Sequence, residues 1–177
     1  MTCEECGFVY EDLVAADIPA AVRSFAKRYR APLSRFLPGE DGDGLVRQRP
    51  EPTTWSALEY AAHIRDVLGR YANWIELTLA EDRPRFEGPP PDDLAALRNY
   101  NADDPAAVTD AIAANTERLA AVIEAVPDDS WDRVGLRRDE EWSVLFCSRR
   151  AVHEGGHHLL DIGRGMRTVR DRRKAGD

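Results

Sequence analysis

The chain lacks any long apolar run, and this absence excludes several classes of protein. No stretch of its 177 residues approaches the roughly 18 consecutive apolar residues that a membrane-spanning helix needs. The N-terminus, which reads MTCEECGFVYEDL, has neither the basic nor the apolar region of a signal peptide. We therefore expect a cytoplasmic protein with no membrane partner.

Cysteine is scarce, and basic residues are outnumbered by acidic ones. Three cysteines are too few for a disulfide scaffold, so the Cys-x-x-Cys spacing at the N-terminus indicates metal or redox chemistry. Acidic residues outnumber basic ones by 32 to 24, and the net charge of −8 disfavours nucleic acid as a partner. The basic stretch 164–174 is interpreted as a solvated helix end, and residues 169–177 are expected to form a disordered basic tail.

Alternation typical of β-strands is nearly absent, and four segments instead carry apolar residues at helical spacing. These segments are 19–37, 55–80, 105–126 and 144–165, with loops expected at 1–10, 38–52, 82–104 and 127–142. Pro32 predicts a kink or break of the first helix near Ala31. Four amphipathic helices without strands predict an all-α protein built as a four-helix bundle. The long connection between the second and third helices permits a crossover and a short extra helix within 92–100.

All four histidines fall inside two of the predicted helices. His153 and His157 are four residues apart, so both imidazoles lie on one helix face and can reach one ion. His63, in the second helix, offers a third imidazole, and three protein ligands leave the open position typical of a catalytic metal site. His158 lies roughly 100° around the helix and is expected to point elsewhere. Histidines that merely belong to the core or the surface are the alternative.

Two glycines separate the paired histidines in the sequence. Gly155 and Gly156 each lower helix stability by about 1 kcal/mol relative to alanine in a helix interior, so we expect them to have a packing or functional role. Close packing of another helix is the interpretation we favour. Room for a ligand beside the metal is the other.

Cys3 and Cys6 resemble one half of a zinc knuckle. Two thiolates at this spacing can bind one ion, and Gly7 permits the backbone turn that a knuckle needs. Cys147, one or two histidines or a second chain could complete the site. A redox pair and two unpaired thiols are the alternatives, and Cys147 is expected to be a small buried residue.

Two segments carry a resemblance to a known family. The sequence WSALEYAAHIRDVL at 55–68 and the sequence RAVHEGGHHLLDI at 150–162 resemble the DinB/YfiT-like superfamily, and the resemblance extends over about 19–165. The chain is similar in particular to actinobacterial DinB-like proteins that open with a Cys-x-x-Cys segment. The resemblance implies an up-down-down-up bundle over 13–168, preceded by a Cys-x-x-Cys segment at 1–12. It also implies a divalent metal held by His63, His153 and His157.

Characterised members of this superfamily include metal-dependent transferases and isomerases that use low-molecular-weight thiols such as mycothiol. The resemblance therefore implies a transferase in which a divalent ion, Zn²⁺ before Ni²⁺ or Fe²⁺, activates such a thiol towards a small-molecule substrate. Helical phase favours Glu59 and Asp161 over Asp66 and Glu154 as the carboxylates that orient the imidazoles or transfer protons. A metal-dependent hydrolase and a non-catalytic metal-binding or stress-response protein are the alternatives. A homodimer is compatible with each of them.

Overall fold

The computed structural model describes residues 1–176, and helices dominate it. The helices are α1 (Ile18–Ser34), α2 (Gly42–Arg47), α3 (Ala57–Ala80), α4 (Pro91–Arg98), α5 (Pro105–Glu124) and α6 (Val144–Ala175). The strands are β1 (Val134–Arg137) and β2 (Glu140–Ser143), and short 3-10 turns lie at Ala15–Asp17, Tyr100–Ala102 and Asp128–Ser130. Among the helices of residues 1–176, none combines the length and apolarity needed to cross a membrane.

The four long helices α1, α3, α5 and α6 form the bundle, and ion pairs between them reveal their directions. Arg23, near the start of α1, pairs with Glu124 at the end of α5. Arg30, one or two turns further along α1, pairs with Asp110 near the start of α5, so the two helices run antiparallel.

The crossover between α3 and α5 makes these two helices parallel. Arg65 in α3 pairs with Asp103 just before α5, and Glu76 near the end of α3 pairs with Arg118 further along α5. The connection at 81–104 carries the chain back along the bundle, with α4 where a short helix was expected. Helix α6 runs parallel to α1, because the residues near its two ends contact the segments before and after α1. The predicted four-helix bundle with an up-down-down-up path is confirmed.

Side-chain caps position the helices that matter for the site. Ser56 and Glu59 form a capping box at the start of α3. Ser143 accepts a hydrogen bond from the Phe146 N–H at the start of α6, and the Asp104 side chain caps α5.

The structure corrects three expectations about the elements. Helix α1 does not break at Ala31 but continues to Ser34, because Pro32 lies in the last turn, where few backbone hydrogen bonds remain to be lost. The segment 127–142 is not strandless: β1 and β2 pair antiparallel, with Val134 opposite Ser143. Arg138 takes a left-handed φ of 57° in the turn between them.

The third correction concerns the expected disordered tail at 169–177. Helix α6 continues through Ala175, and Val169 is buried in the core. Arg170 pairs with Glu40, so this end of α6 packs against the segment that leads into α2. The last residue, Asp177, lies outside the described residues.

Candidate metal centre

Helix α6 presents two pairs of potential metal ligands that are offset by one residue. His153 and His157 form one pair, and Glu154 and His158 form the other. Residues four apart share a helix face, whereas neighbouring residues differ by about 100°. The two pairs therefore face different parts of the molecule.

The pair Glu154 and His158 faces α3, where it meets His63. Ligand atoms of these three residues lie within 4.8 Å of one another. The rings of His63 and His158 have their centroids 5.1 Å apart. The capping box at the start of α3 fixes the helix that carries His63, so two rigid helices define this group.

The pair His153 and His157 faces the N-terminal segment instead. Ligand atoms of Cys3, Cys6, His153 and His157 form a second group within 4.8 Å of one another. Cys147 does not belong to this group: it is buried in α6, as its position predicts, and burial raises the pKa of its thiol to about 12.

The structure thus does not assemble the trio of His63, His153 and His157 that the sequence suggested. His158, which was expected to point elsewhere, is the histidine that meets His63. Glu154, which helical phase ranked below Glu59 and Asp161, is the carboxylate beside them. The rotation of α6 is the physical reason. Because Gly155 faces Phe25 of α1, the pair His153 and His157 lies on the opposite side of α6, and the pair Glu154 and His158 lies between these two faces, towards α3.

The two imidazoles of the first group differ in the direction of their pKa shifts. Burial lowers the pKa of His63 to about 4, so its ring is neutral and has a lone pair to donate. Burial opposes charge on His158 as well, but hydrogen bonding with Asp161 and Glu154 outweighs it and raises the pKa of His158 to about 9. Metal binding at His158 would therefore release a proton, because the ring must be neutral to donate a lone pair. The donor set of two imidazoles and a carboxylate fits a divalent metal.

Asp161 orients His158. Its Oδ2 atom lies 2.9 Å from Nδ1 of the His158 ring. This contact leaves Nε2 free, 3.5 Å from Glu154 Oε2. A carboxylate on the far nitrogen is the usual support of a metal-binding histidine, since it fixes both the tautomer and the ring plane.

Glu59, the other predicted carboxylate, has a different role. Its oxygens accept hydrogen bonds from the Arg49 guanidinium and the Ser56 N–H. Burial raises its pKa, yet these two partners outweigh burial and leave the pKa below its usual value. Oε1 is engaged by Arg49 and Oε2 by both Arg49 and the Ser56 N–H of the α3 cap, so Glu59 does not orient His63. Asp66 likewise contacts Arg65, Arg98 and Tyr100.

A cavity of about 550 Å³ opens beside the first group, and His63 and Glu154 lie in its wall. Four arginines and three large aromatic side chains share the wall. These residues are Arg70, Arg137, Arg138, Arg150, Tyr71, Trp74 and Trp142. Pro91, from the proline-rich connection, contributes to the rim.

Tryptophan side chains hold the cavity's arginines in place. The guanidinium of Arg137 lies 4.9 Å from the Trp74 ring centroid and 5.4 Å from that of Trp142. Cation–π contacts of this kind fix a charge without neutralising it. Burial lowers the pKa of Arg137, so a bound anion would relieve an unfavourable charge. Asp139 and Glu140 also line the cavity, so it is the part around the buried guanidinium of Arg137 that is suited to an anionic group.

Sequence reasoning did not find this cavity. Arg137, Arg138 and Trp142 lie in the hairpin, which was expected to be a loop. Arg150 begins the segment 150–162 that carries the family resemblance, and it lies four residues before Glu154. This spacing places Arg150 on the same face of α6 as Glu154, and it was the one indication of the cavity in the sequence.

Comparisons with known proteins agree with this fold. The sequence profile of the DinB superfamily matches residues 33–162. The chain belongs to the DinB superfamily. No curated protein sequence matches this DinB superfamily member significantly.

Two solved structures are similar to this DinB superfamily member. YfiT from Bacillus subtilis, described as a probable metal-dependent hydrolase with an unusual four-helix bundle topology, has a TM-score of 0.78 and 14% identity, covering 86% of each chain. A mycothiol-dependent maleylpyruvate isomerase has a TM-score of 0.67 and 15% identity. That match covers 88% of this chain and 63% of the isomerase. At these identities the similarity shows a shared fold.

Proposed function

We propose that this DinB superfamily member is a metal-dependent enzyme that acts on a small anionic molecule. His63, Glu154 and His158 would hold the divalent ion. One observation carries the proposal: two of these three ligands lie in the wall of the arginine-lined cavity. Two histidines and a glutamate are a common catalytic zinc set and leave coordination positions open. We therefore propose Zn²⁺, with Fe²⁺ or Ni²⁺ as alternatives that the same donors accept.

The leading reaction within this proposal uses a low-molecular-weight thiol of the mycothiol type. Its support is the similarity to a mycothiol-dependent isomerase together with the charge of the cavity. A divalent ion at this position would lower the pKa of a thiol, so that the nucleophilic thiolate exists at neutral pH.

The chain's own residues would bind and orient the reactants. The guanidinium groups of Arg137 and Arg150 would bind a carboxylate of the electrophile, because planar forks match carboxylate geometry. Trp74 and Trp142 would exclude water from one side of the cavity. Asp161 would keep the His158 ring in place.

Metal-dependent hydrolysis is the second candidate. The similarity to YfiT supports it, since that structure matches more closely and covers most of both chains. In this reaction the metal held by the same three residues would activate water instead of a thiol, and the arginines would bind an anionic ester or amide. A non-catalytic metal-binding protein stays the alternative from another class.

The two reactions can be separated with chelated protein that is reloaded with Zn²⁺. We expect the metal to restore conversion of an unsaturated keto acid that requires mycothiol, and no turnover of an ester and amide panel without thiol. Turnover of the panel without thiol would favour the hydrolase.

Variants at the site test the metal centre itself. We expect Glu154→Ala to lose activity, whereas Glu117→Ala, a matched change on the exposed face of α5, keeps it. Full activity of Glu154→Ala, or a wild-type protein that binds no metal, would refute the proposal.

A further inference from the structure

We propose that Cys3, Cys6, His153 and His157 form a second metal site, a closed zinc centre that holds the N-terminal segment against α6. The ligand atoms of all four residues lie within 4.8 Å of one another. Two thiolates and two imidazoles are a complete ligand set for a structural zinc ion. The site shares no ligand with the proposed catalytic centre and leaves no open position, so its role is structural.

The backbone of the N-terminal segment forms the turn that such a site needs. The Gly7 N–H donates to the Cys3 carbonyl at 2.8 Å, and the Cys3 N–H donates to the Phe8 carbonyl at 2.9 Å. Gly7 adopts a φ of +73°, which glycine takes without strain. This turn brings both sulfur atoms to the side that faces α6.

The spacings within the two ligand pairs match those of known zinc sites. The pair Cys3 and Cys6 has two residues between its members, and the pair His153 and His157 has three. Ligands at about 2.0–2.3 Å from a tetrahedral zinc ion are about 3.3–3.8 Å from one another. The 3.8 Å between Cys3 Sγ and His157 Nδ1 already falls at the upper end of this range.

His153 supplies an independent observation. Its side chain is buried, at 7% exposure, yet neither ring nitrogen has a hydrogen-bond partner among the described residues. A buried polar group without a partner is unfavourable, and proteins rarely leave one. An ion between His153 and the two sulfur atoms would satisfy one of these nitrogens.

His157 is oriented for the same ion. Its Nδ1 atom faces Cys3, and its Nε2 atom lies 3.2 Å from Glu5 Oε2. A carboxylate on the far nitrogen leaves the near one free to bind metal. Glu5 belongs to the same turn as the two cysteines, so the N-terminal segment supplies both ligands and support.

Aromatic side chains also pack the N-terminal segment against the bundle: Tyr10 is buried, at 4% exposure, and its hydroxyl lies 3.3 Å from a guanidinium nitrogen of Arg150. Phe8 and Tyr10 pack beside His153, with ring centroids 5.5 Å and 5.3 Å from it. Chain termini are poorly ordered unless something holds them. A zinc ion here would join residues about 150 positions apart and so close a very long loop.

Zinc content of the full-length protein tests the proposal. We expect two zinc ions per chain in the wild type and one in the double variant Cys3→Ser/Cys6→Ser. Cys147→Ala, which removes the other thiol, should keep two. His63→Ala should keep only the structural ion, so loss of the catalytic centre and loss of this one are distinguishable. Equal zinc content in the wild type and the double variant would overturn the proposal.

Cobalt substitution identifies the ligands without reference to activity. We expect a thiolate-to-cobalt charge-transfer band in the wild type and in His63→Ala, and none in Cys3→Ser/Cys6→Ser. His157→Ala should shift this band, because it replaces one nitrogen ligand. Absence of the band in cobalt-loaded wild type, or a disulfide between Cys3 and Cys6 in metal-loaded protein, would overturn the proposal.

Limited proteolysis tests whether zinc holds the N-terminal segment against α6. Chymotrypsin should cleave after Phe8 or Tyr10 much faster in Cys3→Ser/Cys6→Ser than in zinc-loaded wild type. Chelation of the wild type should give the same acceleration. Equal cleavage rates with and without the ion would show that zinc does not hold the segment.

Discussion

The Tyr29 hydroxyl donates a hydrogen bond of 2.8 Å to the carbonyl oxygen of Gly155. This bond joins α1 to α6 at the turn from which both ligand pairs project. The Phe25 ring packs on the same glycine, where α6 has no side chain of its own to hold the ring away. The close packing that the glycines suggested therefore holds for Gly155.

Substitution of Gly155 by alanine should destabilise the fold. The new Cβ would clash with Phe25 Cε2, so either the ring or the helix must move. Overpacking of this kind costs about 1–3 kcal/mol. Gly156→Ala is the matched control, because no atom lies within 4 Å of its Cβ position. We expect that change to stabilise the protein by about 1 kcal/mol through helix propensity.

Urea unfolding of the two glycine variants measures both effects. The two free energies of unfolding should move in opposite directions from the wild-type value. A shift of the same sign in both variants would mean that the contact with Phe25 does not limit the packing of α6.

Loss of Asp161 should weaken the catalytic metal site. Asp161→Asn removes the carboxylate from His158 Nδ1, and such changes typically reduce metal affinity by about 10–100-fold. The measurement is a zinc titration against a chromophoric chelator in the Cys3→Ser/Cys6→Ser background, so that only one site is read. Asp171→Asn, on the exposed side of α6, is the control and should leave affinity unchanged.

Glu59→Gln should affect stability but not metal affinity. The carboxylate caps α3 and pairs with Arg49, so we expect a loss of about 1–2 kcal/mol at neutral pH. Zinc affinity at the His63 group should equal that of the wild type. A large loss of affinity with unchanged stability would instead give Glu59 the orienting role that helical phase suggested.

The stabilisation by Glu59 should also depend on pH. Folding lowers the pKa of Glu59, so its contribution is complete above the unfolded-state pKa of about 4.5. The contribution is lost as the pH falls through the lower folded-state pKa. The gap between wild type and Glu59→Gln in chemical denaturation should therefore shrink towards zero in acid. A constant gap would show that the charge on Glu59 does not contribute.

Arg137→Leu should reduce the affinity for anionic substrates. Hydrogen bonds to charged groups contribute about 1.5–3 kcal/mol, which corresponds to a rise in KM of about tenfold or more. Neutral substrate analogues should be unaffected. Arg30→Leu, an exposed arginine on α1 that pairs with Asp110, is the control. An equal effect on charged and neutral substrates would show that Arg137 does not bind the negative charge of the substrate.

Much of the fold could be predicted because its information is local. Asp104 as N-cap and Pro105 as first helical residue indicate where α5 begins, and the apolar spacing of α3 predicts which side of that helix is buried. The sequence also contains a signal for the extension of α6 to Ala175, because Met166 and Val169 continue the apolar spacing of that helix and are buried. The many arginines around these two residues obscured that pattern.

The site could be predicted only in part, because helical spacing does not fix helix rotation. His153 with His157 and Glu154 with His158 satisfy the same four-residue rule. Tertiary packing decides which pair meets α3, and one of its contacts, Gly155 on Phe25, joins segments 130 positions apart. The hairpin escaped detection for a similar reason, since β1 and β2 are short and the packing of Trp142 on Trp74 is a long-range contact.

The offset of the two ligand pairs by a single residue has a further consequence. If α6 rolled about its own axis, both pairs would leave their partners together. The contact between Gly155 and the Phe25 ring therefore helps to fix the rotation of α6 for both sites at once. A ring that binds no ion thus contributes to the geometry of two metal centres.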